Sequence, residues 1–156
     1  MRRSDRQVTS RSQIDAIIRD CQVCRLALAL QDDPYLVPVS FGYDGRALYF
    51  HTAGSGKKIS FLQANNRVCF EFERGVRLLR LPDDPCKWTF AYESVIGYGT
   101  VAELTDAGEK IQALNQIMRQ YSGSDWSFDS AALQSTRLWR IDITAMTGKR
   151  SVEKST

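Results

Sequence analysis

Hydrophobic residues in this chain recur with a period of two in four separate stretches, and that alternation limits the fold more than any other feature. Cys24, Leu26, Leu28 and Leu30 alternate with Arg25, Ala27 and Ala29, so a strand starts near Val23. Val37, Val39 and Phe41 share one face of a stretch from Tyr35 to Tyr43. Arg67 to Glu73 and Arg137 to Ile143 repeat the pattern, Ala47 to His51 reads as the return strand of a hairpin, and Phe90 to Leu104 is again strand-like. Such alternation marks strands with one buried face. Asp44-Gly45 suits a hairpin turn, where positive φ costs Asp and Gly least. Pro38 inside a strand points to an edge or a bulge, because proline cannot donate to a ladder. Gly97 and Gly99 suggest bends or bulges.

The helical signals are fewer. Ser10 and Gln13 read as a capping box ahead of Ile14, Ile17, Ile18 and Cys21, which predicts a helix from about Ser12 to Asp20. A short helix is expected from Ile59 to Ala64. A second long one, capped by Thr105 or Asp106, carries the stripe Ile111, Leu114, Ile117, Met118 and Tyr121. Gly75 to Lys87, with Pro82 and Pro85, is the least regular segment, and loops of that length are often functional. Six strands, two substantial helices and no βαβ alternation give a mainly β fold class. A small closed antiparallel barrel with peripheral helices hides that many strand edges. The 156 residues suit one domain, 1–156, with 1–10 and 151–156 as flexible ends.

Charge excludes some functions. Twenty-one basic against 18 acidic residues leave +3, too little for a nucleic-acid binder. No apolar run approaches the roughly 20 residues that span a bilayer. The N-terminus has basic residues with no hydrophobic stretch behind them, so a cytoplasmic location without membrane attachment is expected. Cys21 and Cys24 form a C-x-x-C pair, yet Cys69 and Cys86 are too scattered to complete a zinc site, and the pair leaves a helix to enter a strand. Buried, reduced thiols are the expected reading. With a single histidine, His51, multi-histidine metal sites are excluded, and no metal is expected.

The stretch richest in chemistry is His51-Thr52-Ala53-Gly54-Ser55-Gly56-Lys57-Lys58. Its glycines let backbone N–H groups approach an anion, the following helix offers its positive end, and Thr52 and Ser55 add hydroxyls. It is neither a Walker A loop, since Lys58 follows Lys57, nor a G-x-G-x-x-G fingerprint. A phosphate monoester suits it; a solvated basic turn is the plain alternative.

That loop, with Leu48-Tyr49-Phe50 before it and Asn65-Asn66-Arg67-Val68-Cys69-Phe70-Glu71 after it, resembles the pyridoxamine 5′-phosphate oxidase-like FMN-binding split barrels. Within them the chain is most similar to the 5-nitroimidazole-resistance (Nim-like) subgroup. The likeness includes Cys24 to Leu28, Val37 to Tyr43, Cys86 to Thr89, Tyr92 to Gly99 and Ile141 to Arg150. It implies a six-stranded antiparallel split β-barrel with peripheral helices. It also implies FMN as cofactor, with its phosphate on Lys57 and Lys58, helped by Thr52. His51 and Ala53 then lie beside the ribityl chain, and Val39, Ser40 and Phe41 along the isoalloxazine. Ser40 departs from the Asn often found there. Ser94 and Val95 would come from the long strand, with the partner of a homodimer as one source, and the flavin would lie at the subunit interface.

Trp88, beside the irregular segment, is a further candidate contact, whereas Trp139 alternates with Ile141 and reads as core. His51 is the one candidate catalytic proton donor, with a plain hydrogen-bonding role beside the loop as its alternative. The expected function is an FMN-dependent oxidoreductase, passing electrons from a reduced donor to a small acceptor such as a nitro-aromatic compound. Two alternatives stand beside it. One is a non-catalytic flavin- or haem-binding barrel for storage or sensing, in which haem would depend on His51. The other is a small oligonucleotide-binding barrel, disfavoured by the weak charge.

Overall fold

The computed structural model describes residues 4–151. A 3-10 turn at Ser4–Arg6 leads into β1 (Gln7–Val8), followed by α1 (Arg11–Asp20), β2 (Cys24–Leu30), β3 (Asp33–Val39), β4 (Gly42–Tyr43) and β5 (Ala47–Thr52). Next come α2 (Lys57–Ala64), β6 (Arg67–Leu79), a 3-10 turn at Pro85–Lys87 and β7 (Thr89–Leu104). The chain then forms α3 (Ala107–Ser122), α4 (Ser130–Ser135) and β8 (Arg137–Ser151).

All the described strand pairs are antiparallel, and the sheet order is β3-β2-β6-β7-β8-β5-β4, with β1 added on β8. Eight strands replace the expected six for two reasons. The stretch Tyr35 to Tyr43 divides, because β3 pairs with β2 whereas β4 pairs with β5, and Ser40 and Phe41 cross between them. β8 also runs on to Ser151, far past Ile143, and there Gln7 and Val8 lie opposite Lys149 and Gly148. Residues 7–8 and Ser151 are thus strand, not flexible ends; positions 1–3 and 152–156 lie outside the described residues.

The two ends of the sheet order, β3 and β4, are consecutive in sequence, so the sheet curls on itself. No described ladder joins β3 to β5. A split antiparallel barrel results, with Pro34 and Pro38 on the edge strand β3, where a missing N–H costs no ladder bond. Its interior holds Phe41, Phe50, Phe70 and Phe72, each at most 1% exposed, and α1 adds Ile14, Ile17 and Ile18.

Several local expectations change. Ser10 is the N-cap of α1, but its hydroxyl meets Ser12 Oγ at 2.8 Å instead of a helix amide, so no capping box forms. The segment 75–87 is shorter than expected as a loop, since β6 continues to Leu79 opposite Thr89. Helix α4 adds a short turn of helix ahead of the last strand, and Asp129 caps it by accepting from Ala132 N at 2.7 Å. On α3 the fully buried residues are Ala113 and Ile117, whereas Ile111 and Tyr121 are exposed.

Close approach explains that choice of face. A Cβ on Gly42 would stand 2.4 Å from the Gln116 carbonyl carbon, so backbone of β4 packs directly on backbone of α3. Gly97 is similar: a Cβ there would lie 2.2 Å from the Phe70 ring, and the β7–β8 register shifts just beyond it, between Tyr98 and Gly99. Gly42→Ala is therefore expected to lower the unfolding free energy by about 1–3 kcal/mol through overpacking. Urea denaturation with an unchanged slope would register it, and a midpoint equal to the wild type would refute the contact.

Candidate functional site

The split opens where β5 ends. β5 pairs with β8 along its length, but with β4 only at Leu48 and Tyr49, so Phe50, His51 and Thr52 have no ladder partner on the β4 side. Continuing the Gly42–Tyr49 register brings Ser40 toward His51. The chain then turns through residues 53–56 into α2, whose N-cap Gly56 has φ 132°, a conformation that glycine tolerates best. Ile59 N and Ser60 N both return to Gly56 O, at 3.0 and 3.3 Å. The amides of Lys57 and Lys58, ahead of that first turn, have no partner within the helix.

The two lysines differ. Lys57 pairs with Asp33 at 3.2 Å and lies 5.2 Å from the ring centroids of both Tyr35 and Phe61, which ties α2 to β3. Lys58 is half-buried and no carboxylate among the described residues forms an ion pair with it. Burial alone pushes its ammonium below the ordinary lysine pKa. A desolvated cation without a counter-ion, beside free helix amides, is a site suited to an anion.

Alternation along β5 separates its last two side chains. Thr52 faces the barrel interior and is 6% exposed, while His51 points to the outer face, where Leu138 lies opposite. Thr52 Oγ1 accepts from the buried Trp139 Nε1 at 3.0 Å. Arg137, across the ladder from Thr52, is held by Glu103, with Nε to Oε1 at 2.6 Å, and that guanidinium holds the Glu103 carboxyl below the usual carboxylate range. None of the charge or spacing signals in the sequence distinguished Arg137 or Glu103. Their pairing depends on β7 lying beside β8.

The other expected contacts are distributed as follows. Ser40 and Ala53 are exposed at the rim, whereas Val39 and Phe41 are buried side chains that offer a ligand only backbone. The Phe41 N–H is engaged by Tyr121 Oη at 3.0 Å. Ser94 and Val95 lie ten and nine residues before Leu104 on β7, about 30 Å of extended strand from the corner, and Val95 is fully buried. Trp88 lies farther still, with its indole N–H on Leu81 O at 2.8 Å. One chain therefore gathers Ser40, Thr52, Ala53, Lys57 and Lys58 around the loop, sets His51 on the opposite face of β5, and leaves Trp88, Ser94 and Val95 at the far end. Cys21 and Cys24 are buried, burial pushes both thiols up, and the described residues hold no cluster of metal-ligand type.

The fold and this corner define the class: an antiparallel split barrel with a cationic loop at the rim of the split. The chain belongs to the pyridoxamine 5′-phosphate oxidase family, whose profile matches residues 10–150. It is similar in structure to a candidate 5-nitroimidazole antibiotic resistance protein of Bacteroides thetaiotaomicron, with 33% identity and a TM-score of 0.81 over 92% of this chain and 85% of that one. A FAD-binding protein of Mesorhizobium loti is 25% identical, with a TM-score of 0.71 over 94% of this chain and 98% of the other. The FAD- and haem-binding protein of Mycobacterium smegmatis shares the fold at 18% identity and TM-score 0.84, over 95% of this chain and 74% of that one. Among curated sequences, an uncharacterized Rhizobium meliloti protein is 29% identical over 65 residues, 42% of each chain, so the match spans about two fifths of that relative. No helix among the described residues is long and apolar enough to cross a membrane.

Lys58→Met removes a half-buried charge without a counter-ion and is expected to raise the thermal midpoint of the ligand-free protein at pH 7. The sign of the pH dependence follows from the lowered pKa. Below the folded-state value both states carry the charge and the penalty is complete; above it the folded state releases its proton first, and the wild type recovers stability as pH rises toward 10.5. The gap between variant and wild type should therefore narrow at high pH. A lower midpoint for Lys58→Met would refute an unpaired cation.

Proposed function

We propose that this protein binds FMN at the corner and works as an oxidoreductase, passing electrons from a reduced donor to a small acceptor such as a nitro-aromatic compound. The desolvated, unpaired Lys58 beside the free α2 amides carries the reading. A bound flavin supplies the redox chemistry itself. Lys58 and the amides at the start of α2 hold the phosphate, Thr52 adds a hydroxyl, and Lys57 contributes charge while braced against Asp33. Ala53 lies beside the ribityl chain, and Ser40, with the backbone of Val39 and Phe41, runs along the ring. His51 projects from the outer face of β5, away from the side on which Thr52 and the loop lie. Family membership and the likeness to a candidate nitroimidazole-resistance protein and to a FAD-binding protein support flavin as the cofactor class.

A homodimer completes this reading. The ladder registers align Leu36, Ala27, Cys69, Tyr98 and Ala145 in one row across the outer face of the sheet. Leu36 is 62% and Tyr98 57% exposed, with Ile96 beside them, so five strands present an uncovered apolar face that suits a second copy. Through that contact a partner would supply Ser94, the backbone of Val95 and Trp88 to the corner's far side. Introducing charge with Ile96→Glu and Tyr98→Lys should convert a dimer to a monomer in sedimentation equilibrium; an unchanged mass would place the contact elsewhere.

The purified protein is expected to be yellow or to take up FMN, and to bind it more than about tenfold more tightly than riboflavin, which lacks the phosphate. The double variant Lys57→Ala, Lys58→Ala should abolish that preference. Equal affinity of the wild type for both flavins would sink the corner, and a Soret band in the purified protein would favour the haem alternative. For the reaction, stopped-flow oxidation of the reduced holoprotein by a nitroimidazole should outpace that of free FMN.

A further inference from the structure

The inner mouth of the barrel holds side chains that face the corner loop without being part of it. Trp139 donates to Thr52 Oγ1 at 3.0 Å in a buried pair that links positions 87 residues apart. An indole N–H can only donate, so the threonine oxygen must accept. The hydroxyl still has its own proton, directed away from the indole. No acceptor for it occurs among the described residues. Thr52 is the last residue of β5, so the loop 53–56 begins immediately beyond this donor.

The indole is itself fixed. Its ring lies nearly parallel to Phe50, at 12° and 6.3 Å between centroids, and the Arg137 guanidinium lies 5.2 Å from its centroid. Arg137 in turn is anchored on Glu103 and reaches the Gly54 carbonyl at 3.4 Å. That carbonyl is therefore drawn toward β8, and an oxygen that would repel an anion is kept occupied.

Resting on the flavin reading above, we propose that Trp139 is a positioning residue of the phosphate corner. By occupying one lone pair of Thr52 Oγ1, it presents the threonine proton to a phosphate oxygen of the ligand. Arg137, anchored on Glu103, holds the Gly54 carbonyl clear of the same oxygen. The arrangement selects for an acceptor at that point, which a phosphate monoester provides and the terminal hydroxyl of riboflavin matches less well.

The test compares FMN with riboflavin by fluorescence titration of refolded or native apoprotein. Trp139→Phe keeps an aromatic ring against Phe50 and removes the N–H. The preference for FMN should fall about five- to tenfold, with riboflavin affinity unchanged. Thr52→Val should cause a similar loss, Thr52→Ser should restore the preference, and adding Trp139→Phe to Thr52→Val should change nothing further. An unchanged preference in Trp139→Phe, or two effects that simply add, would overturn the relay while leaving the corner intact. A wild type with no preference for FMN would overturn both. Should Trp139→Phe not fold, benzothienylalanine at position 139 keeps the bicyclic shape without the N–H. The same loss is then expected, and an unchanged preference would again overturn the proposal.

Discussion

The chain crosses from one edge of its sheet to the other at Ser40 and Phe41, and the remaining architecture depends on that crossing. Phe41 anchors it: the side chain is 1% exposed and its ring centroid lies 4.8 Å from that of Phe72. Its N–H donates to Tyr121 Oη, which donates onward to Gln22 O at 2.8 Å, so one hydroxyl ties the crossing to α3 and to the entry of β2. Because β3 is committed to β2 and β4 to β5, the edges at Val39 and His51 approach without pairing. Unpaired edge groups are costly when buried and available when exposed.

Most of this was legible in the alternation of residues. A strand is expected from near Val23 to Leu30 and runs from Cys24 to Leu30, since Leu26 and Leu28 alternate cleanly and Gln31-Asp32 turn the chain. The crossing was not legible, because Val37, Val39 and Phe41 keep a single period through it while the strand's partner changes. Periodicity reports which face is buried and says nothing about which neighbour buries it. The same limit hid the length of β8, where Thr144, Ala145 and Thr147 are exposed and lack an apolar rhythm; pairing with β7 sustains that strand. Arg137 and Glu103 were invisible for a related reason, being two ordinary surface-type charges until the ladder juxtaposes them.

At the corner, the structure gives different surroundings to the two lysines that the sequence singled out. Lys57 and Lys58 are adjacent in a helix, so their side chains leave the axis about 100° apart and cannot share one environment. Lys57 meets Asp33, Tyr35 and Phe61, and acts as a clamp between α2 and the free edge strand. Lys58 is desolvated without a partner and bears the electrostatic cost that an anion would relieve. A paired cation and an unpaired, half-buried one are thus produced from one dipeptide by helix geometry alone.

The alternation of β5 bears on the choice between flavin and haem. Thr52 and His51 are neighbours, so their side chains project to opposite faces, one into the barrel mouth with Trp139 and the other outward over Leu138. A ligand whose anion is held by Thr52 and the α2 amides therefore lies on the side of the strand that His51 does not face. Haem ligation through the single histidine would place the iron on the outer face, away from the cationic corner. The corner and the histidine hence do not form one site on one chain. Only a second subunit, approaching over the outer face, could place both within reach of one ligand.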